Sequence, residues 1–403
     1  MTTTFDALLD DARAVLPEVV ALRRELHAHP ELGLDLPLTQ RTVLDALQGM
    51  PLAVRCGDTV SSITADLVGR DGPTVLLRAD MDALPMPEDT GLAFASTVEG
   101  AMHACGHDAH TAMLVGAARL LAERGGDLHG TVRFAFQPGE EGFHGARSMI
   151  EEGMLDSPHV DAAFALHVSP NLPSGTIAGR PGAMMASADV VDIVVTGKGG
   201  HASTPYLAND PMPVAAEIVQ ALQVFATRRV NTFDPVVISV TKIRAGTTNN
   251  VIPERVLMQG TIRAMSDATR AQAHAGIARV AEGIADAHEM QAEVTITRGY
   301  APTINHASGV EHARDTARSL LGDRGWIEMP TPIMGAEDFS YVLHERPGAI
   351  LFLGVCPPGA DPRTAPACHS NRMQLDEDAL AVGVAYYAAL ASEYLDRVTD
   401  SAV

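Results

Sequence analysis

The chain has 403 residues, more than one hydrophobic core usually organises, so two domains are expected. Asp and Glu outnumber Lys and Arg by 50 to 29, and the resulting formal charge of −21 argues against nucleic acid or anionic membrane as partners, because it would repel phosphates. With 46% hydrophobic residues, four cysteines (Cys56, Cys105, Cys356, Cys368), no apolar run of bilayer length and no signal-peptide layout, the chain reads as a globular, cytoplasmic protein with reduced thiols.

Residues 5–28 predict a helix with Leu8, Ala12, Val15, Val19, Leu22 and Leu26 on one face, kinked or restarted at Pro17 and ended by Pro30. His27 and His29 then read as groups interacting with the helix C-terminus rather than as ligands. Strands follow at 60–68, 74–79, 131–136 and 162–166, alternating with helices at 109–123, capped by Asp108, and near 145–152. That alternation implies a largely parallel sheet covered by helices on both faces, with ligands bound beyond the carboxyl ends of its strands.

The order changes at about residue 188: strand 188–196, helix 211–228, strands 235–243 and 255–264, helix 267–288, strand 292–298. Strand-helix-strand-strand-helix-strand is the ferredoxin-like order, so 183–298 is expected to form an α+β domain inserted between 1–182 and 299–403. A helix at 307–321, the loop Met334-Gly335-Ala336-Glu337-Asp338, a strand at 349–353 and a last helix at 376–396 complete the outer α/β domain.

Residues of metal-ligand type gather at the predicted strand ends. Met102-His103-Ala104-Cys105-Gly106-His107-Asp108-Ala109-His110 places a cysteine and a histidine two apart around a glycine, a donor pair suited to borderline-soft metals. Glu140-Glu141 follows the strand at 131–136 in a turn fixed by Pro138 and Gly139, so that one carboxylate can hold a metal while the other acts as a base. His167 ends the run Ala162-Ala163-Phe164-Ala165-Leu166, and His369 lies in the loop after the strand at 349–353. As single residues, His167 reads as a core histidine and His369 as a loop residue. Together, Cys105, His107, Glu141, His167 and His369 exceed what one catalytic metal needs, and two metals fit the count better. Either Asp80 or Asp82 could ligate, and Asp82 is favoured as the carboxylate orienting a ligand histidine. No Gly-x-Ser-x-Gly elbow is present, and Gly197-Lys198-Gly199-Gly200 lacks the spacing of a phosphate loop.

These blocks resemble the metal-dependent amidohydrolase branch of the aminoacylase and carboxypeptidase peptidase superfamily, which includes hippurate hydrolases, N-acyl-amino-acid amidohydrolases and auxin-conjugate hydrolases. The likeness runs from Arg24-Glu25-Leu26-His27-Ala28-His29-Pro30-Glu31 through Arg78 to Pro85, His103 to His110 and Gln137 to Gly142. It continues through Ala165-Leu166-His167, Gly197 to Ser203, Asn250-Val251-Ile252-Pro253, Gly335 to Phe339 and His369-Ser370, and so covers nearly the whole chain.

The resemblance implies a two-metal site (Zn, Mn, Ni or Co) held by Cys105, His107, Glu141, His167 and His369. Glu140 would be its general base and Asp82 a supporting residue. It implies a catalytic domain with an inserted lid or homodimerisation domain, in which His201 contacts the scissile carbonyl oxygen. Asn250 and Arg263 would hold the carboxylate or carbonyl of a small N-acyl amino acid, although Arg263 reads equally well as a solvated strand-end charge. The expected reaction is hydrolysis of that substrate's amide bond. A dipeptidase or carboxypeptidase of the same superfamily is the rival reading, and a binding protein without catalysis is a more distant one. Phe143, His144 and Asn371-Arg372-Met373 depart from the family pattern and bear on acyl-group preference.

Overall fold

Thr-Val-Leu-Leu-Arg-Ala-Asp and Thr-Val-Arg-Phe-Ala-Phe-Gln are apolar on both alternating sides, so a strand made of either has to be covered on both faces. In the computed structural model, which describes residues 5–124 and 127–401, both are strands buried along their whole length.

The first elements are α1 (Phe5–Ala28), α2 (Pro37–Ala46), β1 (Ala53–Cys56), β2 (Ile63–Val68), β3 (Thr74–Asp80), α3 (His107–Ala122), β4 (Thr131–Gln137), α4 (Gly145–Glu151), β5 (Ala162–Ser169), β6 (Ile177–Gly179) and β7 (Gly182–Met185). Then come β8 (Asp189–Thr196), β9 (Gly200–His201), α5 (Pro211–Arg228), β10 (Val236–Ala245), β11 (Val251–Ile252), β12 (Arg255–Ala264), α6 (Asp267–Ala287) and β13 (Gln291–Arg298). The chain closes with β14 (Thr303–Asn305), α7 (Ala307–Leu321), β15 (Trp326–Glu328), α8 (Ser340–Glu345), β16 (Gly348–Gly354) and α9 (Leu380–Ser401).

The described residues divide into two compact units, one drawn from Met1–Gly182, Ile304–Thr331 and Tyr341–Val403, the other from Ala183–Thr303 and Pro332–Ser340. The first holds an eight-stranded sheet in the order β1-β2-β4-β3-β5-β16-β6-β15. Its centre, β4-β3-β5-β16, is wholly parallel, whereas β1-β2-β4 and β16-β6 pair antiparallel. Helices α3, α7 and α9 pack on this sheet, and α1 packs on all three of them. Tyr387, buried on α9, donates its hydroxyl to the Arg78 carbonyl at 2.7 Å and accepts the Leu166 N–H at 2.9 Å, tying β3 to β5.

Three local expectations are corrected. No new helix starts at Pro17: the first helix runs from Phe5 to Ala28 with Pro17 inside it; Leu8, Ala12, Val19, Leu22 and Leu26 are buried, and that packing outweighs the bond Pro17 cannot make. Helix α3 starts at His107 and is preceded by Gly106 in a left-handed conformation, so Asp108 lies inside the first turn and is not the cap. The last helix starts at Leu380, after a single 3-10 turn whose cap is Asp376, and extends to Ser401.

In the second unit, β8, β10, β12 and β13 form an antiparallel sheet in the order β10-β12-β8-β13, which is the ferredoxin-like arrangement. Burial alternates along β8 because α5 and α6 cover a single face, with Ile193, Leu222, Phe225 and Ile277 in the core between them. The segment Pro332–Ser340 groups with this unit through two backbone bonds, Ile333 N–H to the Met184 carbonyl at 3.0 Å and Ala186 N–H to the Gly335 carbonyl at 2.8 Å. Among the described residues, no helix is long and apolar enough to cross a membrane.

Candidate metal centre

Four neighbouring parallel strands end on one edge of the first unit, and each delivers part of one cluster. Asp80 ends β3, Glu140 and Glu141 follow β4, His167 lies near the end of β5, and His369 is in the loop after β16. Cys105 and His107 join them at the start of α3.

Potential ligand atoms within 4.8 Å of one another form the sets Cys105/His107/His167, Cys105/Glu141/His369, His107/Glu140/Glu141 and Asp80/His107/His110. The first three sets share members and so join all five residues of the expected ligand set with Glu140. Within the five, Cys105 Sγ lies 3.4 Å from His167 Nε2, and His369 Nε2 lies 3.2 Å from Glu141 Oε1.

Four of the five ligand-type groups are held by a second bond. His107 donates Nδ1–H to the Asp82 backbone carbonyl at 2.8 Å, and His167 donates Nδ1–H to the Val168 carbonyl at 2.7 Å, so both turn Nε2 toward the cluster. The Asp82 carboxylate accepts the N–H groups of Glu140 and Glu141, each at 2.9 Å, and so fixes the turn that presents them. Its Oδ1 also lies 3.5 Å from His107 Nδ1. Asp82 therefore orients the histidine chiefly through its carbonyl, and its carboxylate orients the glutamates. The His369 N–H donates to the Ala104 carbonyl at 2.8 Å, which fastens its loop beside Cys105.

The electrostatics of this cluster suit a cation. Burial opposes charge on His107, yet Asp80, Asp82 and Glu141 push its pKa up to about 10. Burial also works against ionisation of Asp80, but Arg78, His107 and His110 hold its carboxyl well below the usual range. Burial raises Glu141 less than His369 and His107 lower it. Burial and the nearby His110 keep His167 far below the ordinary imidazole value, so it is neutral and able to donate a lone pair. The buried His107 Nε2 makes no hydrogen bond, although the carboxylate face around it favours positive charge. One cysteine sulfur, three imidazoles and a carboxylate converging there fit a borderline divalent metal better than magnesium or calcium.

The model of Peptidase family M20/M25/M40 matches residues 76–393, a span that holds the entire cluster. The chain belongs to this family. It is 38% identical to the N-acetylcysteine deacetylase of Bacillus subtilis (strain 168), over 96% of this chain and 99% of that protein. It is 35% identical to Thermostable carboxypeptidase 1 of Saccharolobus solfataricus, over 97% and 99%. The solved structure of the Bacillus subtilis YXEP protein, described as a dinuclear metal binding peptidase from the M20 family, superposes with a TM-score of 0.83 at 35% identity, covering 95% of this chain and 99% of that one. This M20 chain is accordingly a hydrolase.

Its remaining candidate residues lie in the second unit. His201 on β9 is exposed and pairs with Val251 on β11, and the Ala202 N–H donates to the Asn250 carbonyl at 3.0 Å, so His201 and Asn250 sit side by side. The imidazole Nδ1 of His201 accepts the Ser203 N–H at 3.1 Å. Arg263 is half-buried on β12, in the four-stranded sheet, and its pKa is lowered by burial.

Three further features belong to the M20 site. His110 donates Nδ1–H to Asp80 at 2.5 Å and accepts the Val168 N–H at 2.8 Å, so both its nitrogens are engaged. The Cys368 thiol reaches the carbonyl oxygens of Cys105 and Val168, each at 3.8 Å, and the neighbouring Cys368 sulfur together with burial pushes the Cys105 thiol well up. Asp108 is held by Arg23 and His27 on α1. The block Met102 to His110 marks His110 as a residue supporting the site and the doublet Cys368-His369 is a visible signal for the second; nothing in the local sequence announces the third.

Proposed function

We propose that this M20 hydrolase cleaves the amide bond of small N-acyl amino acids, giving a carboxylate and a free amino acid. The observation that carries the reading is the buried Glu140, fixed by Asp82 and grouped with His107 and Glu141. A protein that only bound metal would not need a second, positioned carboxylate beside the ligand set.

Cys105, His107, Glu141, His167 and His369 would hold two divalent ions of the zinc, manganese, nickel or cobalt kind. Bound there, such ions supply acidification of a water and polarisation of the substrate carbonyl. Glu140 takes the proton from the attacking water and returns it to the leaving nitrogen as the amide bond breaks. His201 is assigned to the carbonyl oxygen as negative charge develops on it, and Asn250 and Arg263 to the substrate carboxylate. The similarity to an N-acetylcysteine deacetylase supports an acyl-amino-acid substrate. The inserted unit is assigned to closing over substrate or to dimerisation. The four cysteines, none of them in a disulfide, are in keeping with a cytoplasmic setting.

The similarity to a carboxypeptidase favours a second reading, in which the same groups hydrolyse a C-terminal peptide bond. Purified protein tested on hippurate, N-acetyl-amino acids and dipeptides separates the two, and a preference for dipeptides would overturn the first. Glu140→Gln should retain metal and lose most turnover on every substrate cleaved; undiminished turnover would remove Glu140 from its role.

A further inference from the structure

The block Arg23 to Glu31 has no part in the chemistry above, yet α1 buries a charged cluster under the metal centre. Arg23, 2% exposed, donates Nε–H to Asp108 at 2.8 Å and Nη1–H to Glu377 at 3.0 Å. His27, fully buried, meets Asp108 through Nδ1 at 2.8 Å and Glu88 through Nε2 at 3.2 Å. Glu88 in turn accepts the Ser96 N–H at 2.7 Å, and Arg24 donates Nε–H to Glu377 at 3.0 Å.

The ends of this cluster decide its meaning. Asp108 directly follows His107 and lies three positions after Cys105, whereas Glu377 stands eight positions after His369 on the run leading into α9. That run is also stitched to the Glu88 loop, by the Asp89 N–H to the Asn371 carbonyl at 2.8 Å and by Gln374 Nε2 to the Thr90 carbonyl at 3.0 Å. Arg23 therefore clips together the two chain segments that supply Cys105 and His107 on one side and His369 on the other. Apolar side chains would pack α1 against α3 at lower cost, since each buried ion gives up several kcal/mol of hydration. What they would lack is direction. The Arg23 Nε–H and His27 Nδ1 both meet Asp108 Oδ2, and these two bonds hold the first turn of α3 in place, where metal–ligand distances tolerate only about 0.2 Å.

We infer that Arg23, through Asp108 and Glu377, is a positioning residue for the metal centre, setting the spacing between the Cys105/His107 segment and the His369 segment. This rests on the reading that those three residues bind metal. Arg23→Gln and Glu377→Gln should each weaken Zn2+ binding by the factor of about 10–100 typical of groups that orient ligands, and Arg23→Lys should recover part of that loss.

Zn2+ affinity is measured by competition with a chromogenic chelator on full-length protein, after circular dichroism and a melt in chelator establish the folded fraction. The Glu377 variant, at a partly exposed side chain, gives a result even if Arg23→Gln does not fold. A lowered melting temperature with wild-type Zn2+ affinity in the folded variants would mean simple packing and would overturn the inference. Cys105→Ala is measured alongside: wild-type affinity there would instead defeat the ligand assignment itself.

Discussion

Asp82 and Glu140 are joined by a hydrogen bond of 2.9 Å from the Glu140 N–H to Asp82 Oδ1, and the other Asp82 oxygen takes the next N–H in the same way. A carboxylate two residues beyond β3 thus holds the turn that presents both glutamates after β4. Replacing it by Asn leaves one acceptor and turns an amide N–H toward a backbone N–H. Asp82→Asn should therefore lower kcat about 10–100-fold while far-UV circular dichroism stays unchanged. Wild-type kcat in that variant would show that the turn holds itself.

Cys105 Sγ belongs to two of the converging sets, with His107 and His167 and with Glu141 and His369. Cys105→Ala should therefore lower bound metal per chain in elemental analysis and reduce activity at limiting metal. Full metal occupancy in this variant would place the ligands elsewhere.

What the sequence makes legible follows from how local each cause is. Cys105, His107, Glu140 and Glu141 sit in short segments whose glycines and prolines announce their turns, and His167 and His369 become visible once strand ends are placed. Asp108 reads as a helix cap because its partners Arg23 and His27 lie 85 and 81 residues away, beyond any local pattern. Pro17 suggests a break because propensity is local, whereas the burial of Leu8 to Leu26 that overrides it is tertiary. The short edge strand β1 is exposed throughout and carries no alternation to detect.

Gly106 has φ near +85°, and a Cβ there would lie 2.4 Å from Val168 Cγ2. Gly106→Ala combines an unfavourable backbone region with a clash at the junction between Cys105 and His107. It should destabilise the chain by about 1–3 kcal/mol. Metal affinity should fall with it. Chelator-treated and metal-loaded melts of variant and wild type check this, and equal metal-induced stabilisation in the two would contradict the second half.

The second unit carries its own buried pair. Asp189, 1% exposed, accepts from Arg270 at 2.9 Å and 2.5 Å and from His274 Nε2 at 2.7 Å. Burial raises its pKa, but Arg270 and His274 outweigh that and hold it below the usual aspartate value. A carboxyl whose folded pKa is depressed adds stability that is complete above its unfolded pKa, about 3.9, and lost as pH falls toward the folded value. Asp189→Asn removes the carboxylate charge that Asp189 presents to the buried Arg270 and should cost about 3 kcal/mol at pH ~7. The difference from wild type should shrink as pH falls through about 4 to 3. Urea unfolding of both proteins across that range, followed by a probe in the inserted unit, tests it; a difference independent of pH would assign the loss to packing and not to the ion pair.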